Sequence, residues 1–104
     1  MRMMLKAVMD TEAGNEVARK GQLKDITSQL VRQLNAEAAY FVAEEGRRSC
    51  LIVFDMTDSS QIPVIAEPLF LGAKAQVTLS PCMNIEDLEK GLAQAYPESG
   101  QSSL

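Results

Sequence analysis

The sequence feature that most constrains the fold is a pair of strand-like runs separated by a single glycine. The run "EAAYFVAEE" occupies residues 37–45, Gly46 follows it, and "RRSCLIVFDM" continues to residue 56. The second run is rich in β-branched and apolar residues, while the aromatic pair Tyr40-Phe41 is central to the first. Because glycine readily adopts the left-handed backbone of a tight turn, the pattern predicts an antiparallel hairpin with its tip at residues 45–47.

Two further strands are predicted from alternation of apolar and polar residues. Partial alternation over residues 3–9 predicts a first strand. The run "AKAQVTLS", residues 73–80, alternates Val77 and Leu79 with Gln76 and Thr78. Gly72 separates this last predicted strand from the segment before it.

Helical spacing appears in two other parts of the chain. Between Gly14 and Asn35 the apolar residues recur at intervals of three, four and four, which predicts an amphipathic helix. Gly21 lowers helix propensity by about 1 kcal/mol relative to alanine and can divide a looser first part from a firmer second part. In "NIEDLEKGLAQA", residues 84–95, Asn84 is a predicted N-cap with Asp87 three residues on, and Pro97 ends the helix.

The segment "FDMTDSSQIPVIAEPLF", residues 54–70, supports a catalytic and a structural interpretation. Its aspartates, Asp55 and Asp58, could share acid and base roles if their environments differed. The structural interpretation is favoured: Asp55 ends a strand, and Asp58, Ser59 or Ser60 accepts hydrogen bonds from the first N–H groups of a helix. Pro63 suits the first turn of that helix.

Pro68 predicts that this helix kinks or stops near Glu67, because an interior proline removes a hydrogen bond and costs about 3 kcal/mol. The following "PLFLG" would then pack as an irregular apolar lid over one end of the sheet. Glu67 lies beside the break and is a candidate acid, although an ordinary solvated surface position is favoured.

The element order β-α-β-β-α-β-α predicts an α+β fold of the ferredoxin-like βαββαβ type with an extra C-terminal helix. Four antiparallel strands would carry both main helices on one face of the sheet. The length predicts one domain over residues 1–96, followed by a flexible tail over residues 97–104.

Composition excludes several functional classes. The net charge of −4 disfavours a nucleic-acid partner, and the basic pairs Arg19-Lys20 and Arg47-Arg48, each close to acidic residues, are interpreted as solvated surface. The absence of histidine removes Ser-His-Asp and Cys-His catalysis and the commonest metal ligand, so no catalytic residue, metal or cofactor is predicted.

Cys50 and Cys82 are expected to be reduced, buried thiols. No apolar run is long enough for a membrane span or typical of a signal peptide, so no membrane association and a cytoplasmic location are expected.

Alternation divides the strands into two faces. The face suited to a helix-covered core consists of Met3, Leu5, Ala7, Cys50, Ile52, Phe54 and Met56. The opposite face consists of Met4, Lys6, Val8, Leu51, Val53, Asp55, Gln76 and Thr78. This second set is too apolar for open solvent and too polar for a dry core, which favours homodimerisation through it over a partly hydrated face in a monomer.

The order of elements, the "RRSCLIVFDM" strand, "DSSQIPVIAEPLF" and "VTLSPCMNIEDLEKGL" together resemble the dimeric α/β-barrel superfamily, and within it small uncharacterised bacterial proteins of similar length. The resemblance spans roughly residues 1–95. It implies two sheets that meet face to face around a barrel, often with a pocket in each half. The superfamily includes monooxygenases, isomerases, haem-dependent chlorite dismutases and ligand-sensing domains, but the chain lacks the histidine of the haem branch and the tryptophan of some oxygenase pockets.

The leading hypothesis is therefore a non-catalytic homodimer that binds a small, partly apolar ligand. Its candidate ligand-binding residues are Lys6, Tyr40, Asp55, Gln76 and Thr78. One alternative is a cofactor-independent enzyme of monooxygenase or isomerase type that uses Lys6, Tyr40 or Asp55 inside the barrel. Another is a protein-interaction module that binds through a sheet edge. For Lys6 and Tyr40, the simpler interpretations are a surface lysine and a core or interface tyrosine.

Overall fold

The computed structural model describes residues 1–98, which form four strands and four helices. In chain order these are β1 (Arg2–Val8), α1 (Thr11–Arg19), α2 (Leu23–Gln33), β2 (Ala38–Glu44), β3 (Arg47–Asp55), α3 (Gln61–Ala73), β4 (Gln76–Pro81) and α4 (Ile85–Ala95). Of the tail predicted for residues 97–104, residues 99–104 lie outside the described part of the chain. No helix within residues 1–98 is long and apolar enough to cross a lipid bilayer.

The four strands form one antiparallel sheet in the order β2-β3-β1-β4. The predicted α+β class and four-stranded antiparallel sheet are confirmed. The predicted hairpin joins β2 to β3, and both residues at its tip have left-handed backbones, Glu45 with φ of 50° and Gly46 with φ of 78°. Two successive positive φ values are typical of the two-residue turns that match the twist of a hairpin.

The helices α1, α2 and α3 cover one face of the sheet, and the core lies between that face and the helices. Leu5 of β1 and Ile52 of β3 are fully buried at its centre, and Phe54 is 1% exposed. The predicted core face is correct throughout, since Met3, Ala7 and Cys50 are also buried and Met56 packs against the core from its edge.

The first helical region begins earlier than predicted and is divided. The carboxylate of Asp10 accepts a hydrogen bond from the Ala13 N–H over 3.0 Å, so α1 begins at Thr11 rather than near Gly14. Gly21, with φ of 70°, lies between α1 and α2 and confirms the predicted division. The left-handed Asn35, with φ of 48°, follows the end of α2 as predicted.

Of the two predicted effects of Pro68, a kink or a stop of α3 near Glu67, the stop is wrong, because the helix continues through Pro68 to Ala73. Ile65 on one side of the proline and Leu69 on the other are both buried. Burying each of these side chains contributes about 1.5–3 kcal/mol. The two contributions together offset the cost of about 3 kcal/mol for an interior proline. The segment predicted as an irregular lid is therefore helical.

The end of α3 also differs from the prediction. Gly72 lies inside the helix, and the residue that ends it is Lys74, whose φ of 47° is left-handed. The last strand consequently begins at Gln76 rather than Ala73. Lysine was not an expected C-cap, because left-handed positions favour glycine or asparagine.

Candidate functional site

The candidate site is the sheet face that α1–α3 leave uncovered, hereafter the open face. It consists of Arg2, Met4, Lys6 and Val8 of β1, Ala38, Tyr40, Val42 and Glu44 of β2, Arg47, Ser49, Leu51, Val53 and Asp55 of β3, and Gln76, Thr78 and Ser80 of β4. Strand register places all the predicted ligand-binding residues on this one face. These residues alternate along each strand with the buried core residues and therefore lie on the other side of the sheet, as the alternation predicted.

Three of the predicted residues form one row across the sheet. Tyr40 pairs with Leu51, Leu51 with Lys6, and Lys6 with Thr78. Gln76 lies one row away, opposite Val8. The register therefore places Tyr40, Lys6, Thr78 and Gln76 in one region of the open face.

Asp55 is separated from that group. It pairs with Arg2, which is four residues along β1 from Lys6, so about 13 Å of strand divides the carboxylate from the lysine. The Asp55 carboxylate lies 2.7 Å from the amino group of Met1. Asp55 and Lys6 are thus too far apart to exchange a proton directly, and each has another charged partner.

The charged partner of Lys6 is Glu44, with 2.8 Å between Nζ and Oε1. The two residues lie on β1 and β2, the strands on either side of β3, so their side chains cross β3 at Ser49. Ser49 is 5% exposed, and its hydroxyl donates to the carbonyl of Arg47 over 3.2 Å. Glu44 was missed among the candidates, although alternation from Tyr40 through Val42 would have placed it on the open face.

Apolar side chains occupy the rest of the central strands on the open face. Met4, Val8, Leu51 and Val53 are partly buried by their neighbours in the sheet. On the edge strand β2, Tyr40 is 67% exposed and Val42 is 44% exposed. The face is therefore an apolar surface crossed by a single ion pair within the described residues, with further charges at its ends.

Arg2 forms a second charged group at the other end of the open face. Its guanidinium donates to Glu37 over 2.8 Å and to Asp87 over 2.7 Å. The hydrogen bond with Glu37 is the main cause of the raised pKa of Arg2. The contact with Asp87 attaches the first turn of α4 to the end of the open face.

Helix α4 has an amphipathic sequence but no buried residue. Its start is the predicted one: Asn84 Oδ1 accepts the Asp87 N–H over 2.8 Å, and the Asp87 carboxylate accepts the Asn84 N–H over 3.2 Å. The apolar stripe of α4 consists of Ile85, Leu88, Leu92 and Tyr96, which are between 39% and 65% exposed. Helices gain most of their stability from packing an apolar stripe, so this one lacks a partner within residues 1–98.

The polar cluster after β3 has a structural arrangement that differs from the prediction. Asp58 accepts hydrogen bonds from the hydroxyl and the N–H of Ser60, the latter over 3.0 Å, and they lower the pKa of Asp58. Ser60 precedes α3, but its side chain caps no helix N–H, so the predicted side-chain cap is wrong. Gln61 reaches back instead, and its Oε1 accepts the N–H of Thr57 over 2.8 Å. Asp58 is therefore engaged with Ser60 rather than with a second carboxylate.

No group of three or more histidine, cysteine, aspartate or glutamate side chains within residues 1–98 is arranged to hold a metal ion.

Comparison of the chain with protein-family models, with curated proteins and with solved structures gives no match in any of the three. The class established by the fold is an α+β protein with a four-stranded antiparallel sheet covered on one face. The resemblance to dimeric α/β barrels stays a prediction.

Proposed function

We propose that the chain is a ferredoxin-like subunit of a homodimeric α/β barrel, and that the space between the two open faces binds a small, partly apolar molecule. The observation that supports the dimer is the open face itself. Its central strands carry Met4, Val8, Leu51 and Val53, and the three packed helices all lie on the opposite side of the sheet. An apolar sheet face without a covering layer favours burial against another surface.

The placement of the strands supports the ferredoxin-like class. β1 and β3 are central, β4 joins the free edge of β1, and β2 joins the free edge of β3. Both connections that cross the sheet, α1–α2 and α3, lie on the same side. This leaves one complete face for a partner, and a second copy presents the same face.

The size of the open face indicates that α4 contributes to the interface. Four strands about 4.8 Å apart and about seven residues long give roughly 450 Å² in projection. Stable interfaces bury about 800 Å² on each partner, so the sheet alone is at the low end. The apolar stripe of α4 begins at the same end of the molecule, where Asp87 contacts Arg2. In the proposed dimer this stripe packs against the second subunit.

The ligand would contact the polar row between the two sheets. Tyr40, Lys6 and Thr78 lie in that row and Gln76 lies beside it, so hydroxyl, ammonium and amide groups are available next to Leu51 and Val8. A molecule with an apolar body and a few polar atoms matches this mixture. A dimer structure in which side chains fill the whole space between the sheets would contradict this part of the proposal.

Light scattering of the purified full chain at micromolar concentration tests the dimer. The expected mass is that of two chains, compared with 11.4 kDa for one. Leu51→Lys places a charge at the centre of the open face and should give a monomer. The matched control is Leu71→Lys, because Leu71 is 81% exposed on the outer side of α3.

The control should remain a dimer and show the same far-UV circular dichroism as the parent. A monomeric parent chain across this concentration range would overturn the proposal. Equal loss of the dimer in both variants would also count against the open face as the interface, since Leu71 lies on the other side of the molecule.

A further inference from the structure

A cleft of about 970 Å³ lies on the helix-covered side of the molecule, between the α1–α2 pair and the β2-β3 hairpin. Its apolar walls include Met9 of the segment after β1, Ile26 and Leu30 of α2, and Phe41 of β2. Phe41 belongs to the helix-covered side by register, since it pairs with Cys50, yet it is 54% exposed because the helices do not reach over β2. The volume is within the range of small-molecule sites.

The charges around the cleft are all of one sign. The whole chain contains 10 lysine and arginine residues and 14 aspartate and glutamate residues. Among the described residues the cleft is lined by Lys24, by Arg48 and, at the hairpin end, by Arg47, which register assigns to the open face, and no carboxylate is among them. In an acidic chain, three cations beside an apolar wall complement a negatively charged ligand with an apolar body.

Arg48 is held in position by a neutral group. Its Nη1 donates to Oδ1 of Asn15 over 2.9 Å, and within residues 1–98 it forms no salt bridge. Gly14 leaves room for the side chain, because a Cβ at that position would lie 3.1 Å from Arg48 Nη1. The remaining N–H groups of the guanidinium can therefore bind an anion without displacing an existing carboxylate. The sequence pattern had indicated only a solvated basic pair at Arg47-Arg48.

We propose that this cleft binds a small carboxylate with an apolar chain, its carboxylate on Arg48 and its chain along Phe41 and Ile26. The bidentate geometry of a guanidinium matches a carboxylate, and Lys24 and Arg47 add positive charge nearby. Cys50 also lines the cleft, and burial raises the pKa of its thiol, so it contributes a neutral surface there. The proposed site lies on the opposite side of the sheet from the open face and does not depend on dimerisation.

Titration of the ¹⁵N-labelled full chain with octanoate, followed by NMR, tests the proposal. Shift changes are expected at Phe41, Ile26 and Arg48, and octan-1-ol, which has the same chain without the charge, should bind more weakly. Arg48→Gln should weaken octanoate about tenfold, because a charge-assisted hydrogen bond is lost, and should leave octan-1-ol unchanged.

The matched control is Arg19→Gln. Arg19 is an exposed arginine at the end of α1, 3.9 Å from Glu16, and does not line the cleft. Its replacement should leave octanoate binding unchanged. The monomeric Leu51→Lys variant should also bind octanoate with the affinity of the parent, which separates this site from the dimer. The proposal is overturned if octanoate shifts no cleft residue, if octan-1-ol binds as tightly, or if Arg48→Gln has no more effect than Arg19→Gln.

Discussion

Lys6 and Glu44 form a salt bridge of 2.8 Å across the intervening strand β3. The two side chains are 40% and 42% exposed, so they lie against the sheet without leaving water. Ser49 lies midway between Leu51, opposite Lys6, and Arg47, opposite Glu44, and is 5% exposed. The salt bridge also places Lys6, near the centre of the open face, in a pair that is neutral overall.

The coupling between Lys6 and Glu44 should be small in the isolated subunit. A double-mutant cycle with Lys6→Met and Glu44→Gln, measured by urea unfolding where light scattering gives the mass of one chain, should give about 0.2–1 kcal/mol. Added salt should reduce it, because both groups remain partly solvated. A coupling near zero at low salt would mean that the bridge does not hold the two strands in this arrangement.

Pro68 should reduce the stability of α3. Pro68→Ala restores a backbone donor in the helix and removes a clash with the carbonyl four residues earlier, so the free energy of unfolding should rise by about 1–3 kcal/mol. Pro63→Ala is the matched control, because Pro63 lies in the first turn, where the N–H lacks an intrahelical partner. Urea unfolding of both variants checks this. A gain from Pro63→Ala equal to that from Pro68→Ala would contradict the explanation.

The course of α3 also shows where sequence reasoning failed. The hairpin at Gly46, the Asn84 cap and the two sheet faces depend on contacts between residues close in sequence or on simple alternation, and all were predicted. Whether α3 continues past Pro68 depends on how Ile65 and Leu69 pack against distant strands. A local helix preference cannot include that burial energy.

The cleft was missed for a related reason. It depends on α2 stopping short of β2, which leaves Phe41 uncovered, and on Asn15 positioning Arg48 from 33 residues away. Neither relationship produces a periodic pattern. The open face, by contrast, was predictable because the period of a strand assigns alternate residues to opposite sides.

Glycines at two positions should respond in opposite directions to alanine. Gly46 has φ of 78°, and a left-handed backbone costs an alanine about 1–2 kcal/mol, so Gly46→Ala should destabilise the hairpin by that amount. Gly72 lies inside α3 and a Cβ there meets no atom within 4 Å, so Gly72→Ala should stabilise by about 0.5–1 kcal/mol. Thermal or urea unfolding measures both changes. Stabilisation by Gly46→Ala would contradict the turn geometry.

The carboxyl of Asp58 provides a test of pH dependence. Hydrogen bonds from the Ser60 hydroxyl and N–H lower its pKa below the usual value of 3.8. Since the folded state favours the charged form, the stability that these bonds contribute is complete above pH 3.8 and is lost as the pH falls through the lowered folded pKa. NMR titration of the side-chain carboxyl should therefore find a pKa for Asp58 below that of an unperturbed aspartate.

Ser60→Ala should raise the pKa of Asp58 toward its usual value, and the return should be incomplete because the backbone N–H at position 60 remains. Ser59→Ala is the matched control, since the Ser59 side chain forms no hydrogen bond with Asp58. A rise in the pKa of Asp58 in both variants would point to a general change in the loop. An unchanged pKa in Ser60→Ala would show that the hydroxyl does not stabilise the carboxylate, and the turn before α3 would then depend on Gln61 and its bonds to the backbone.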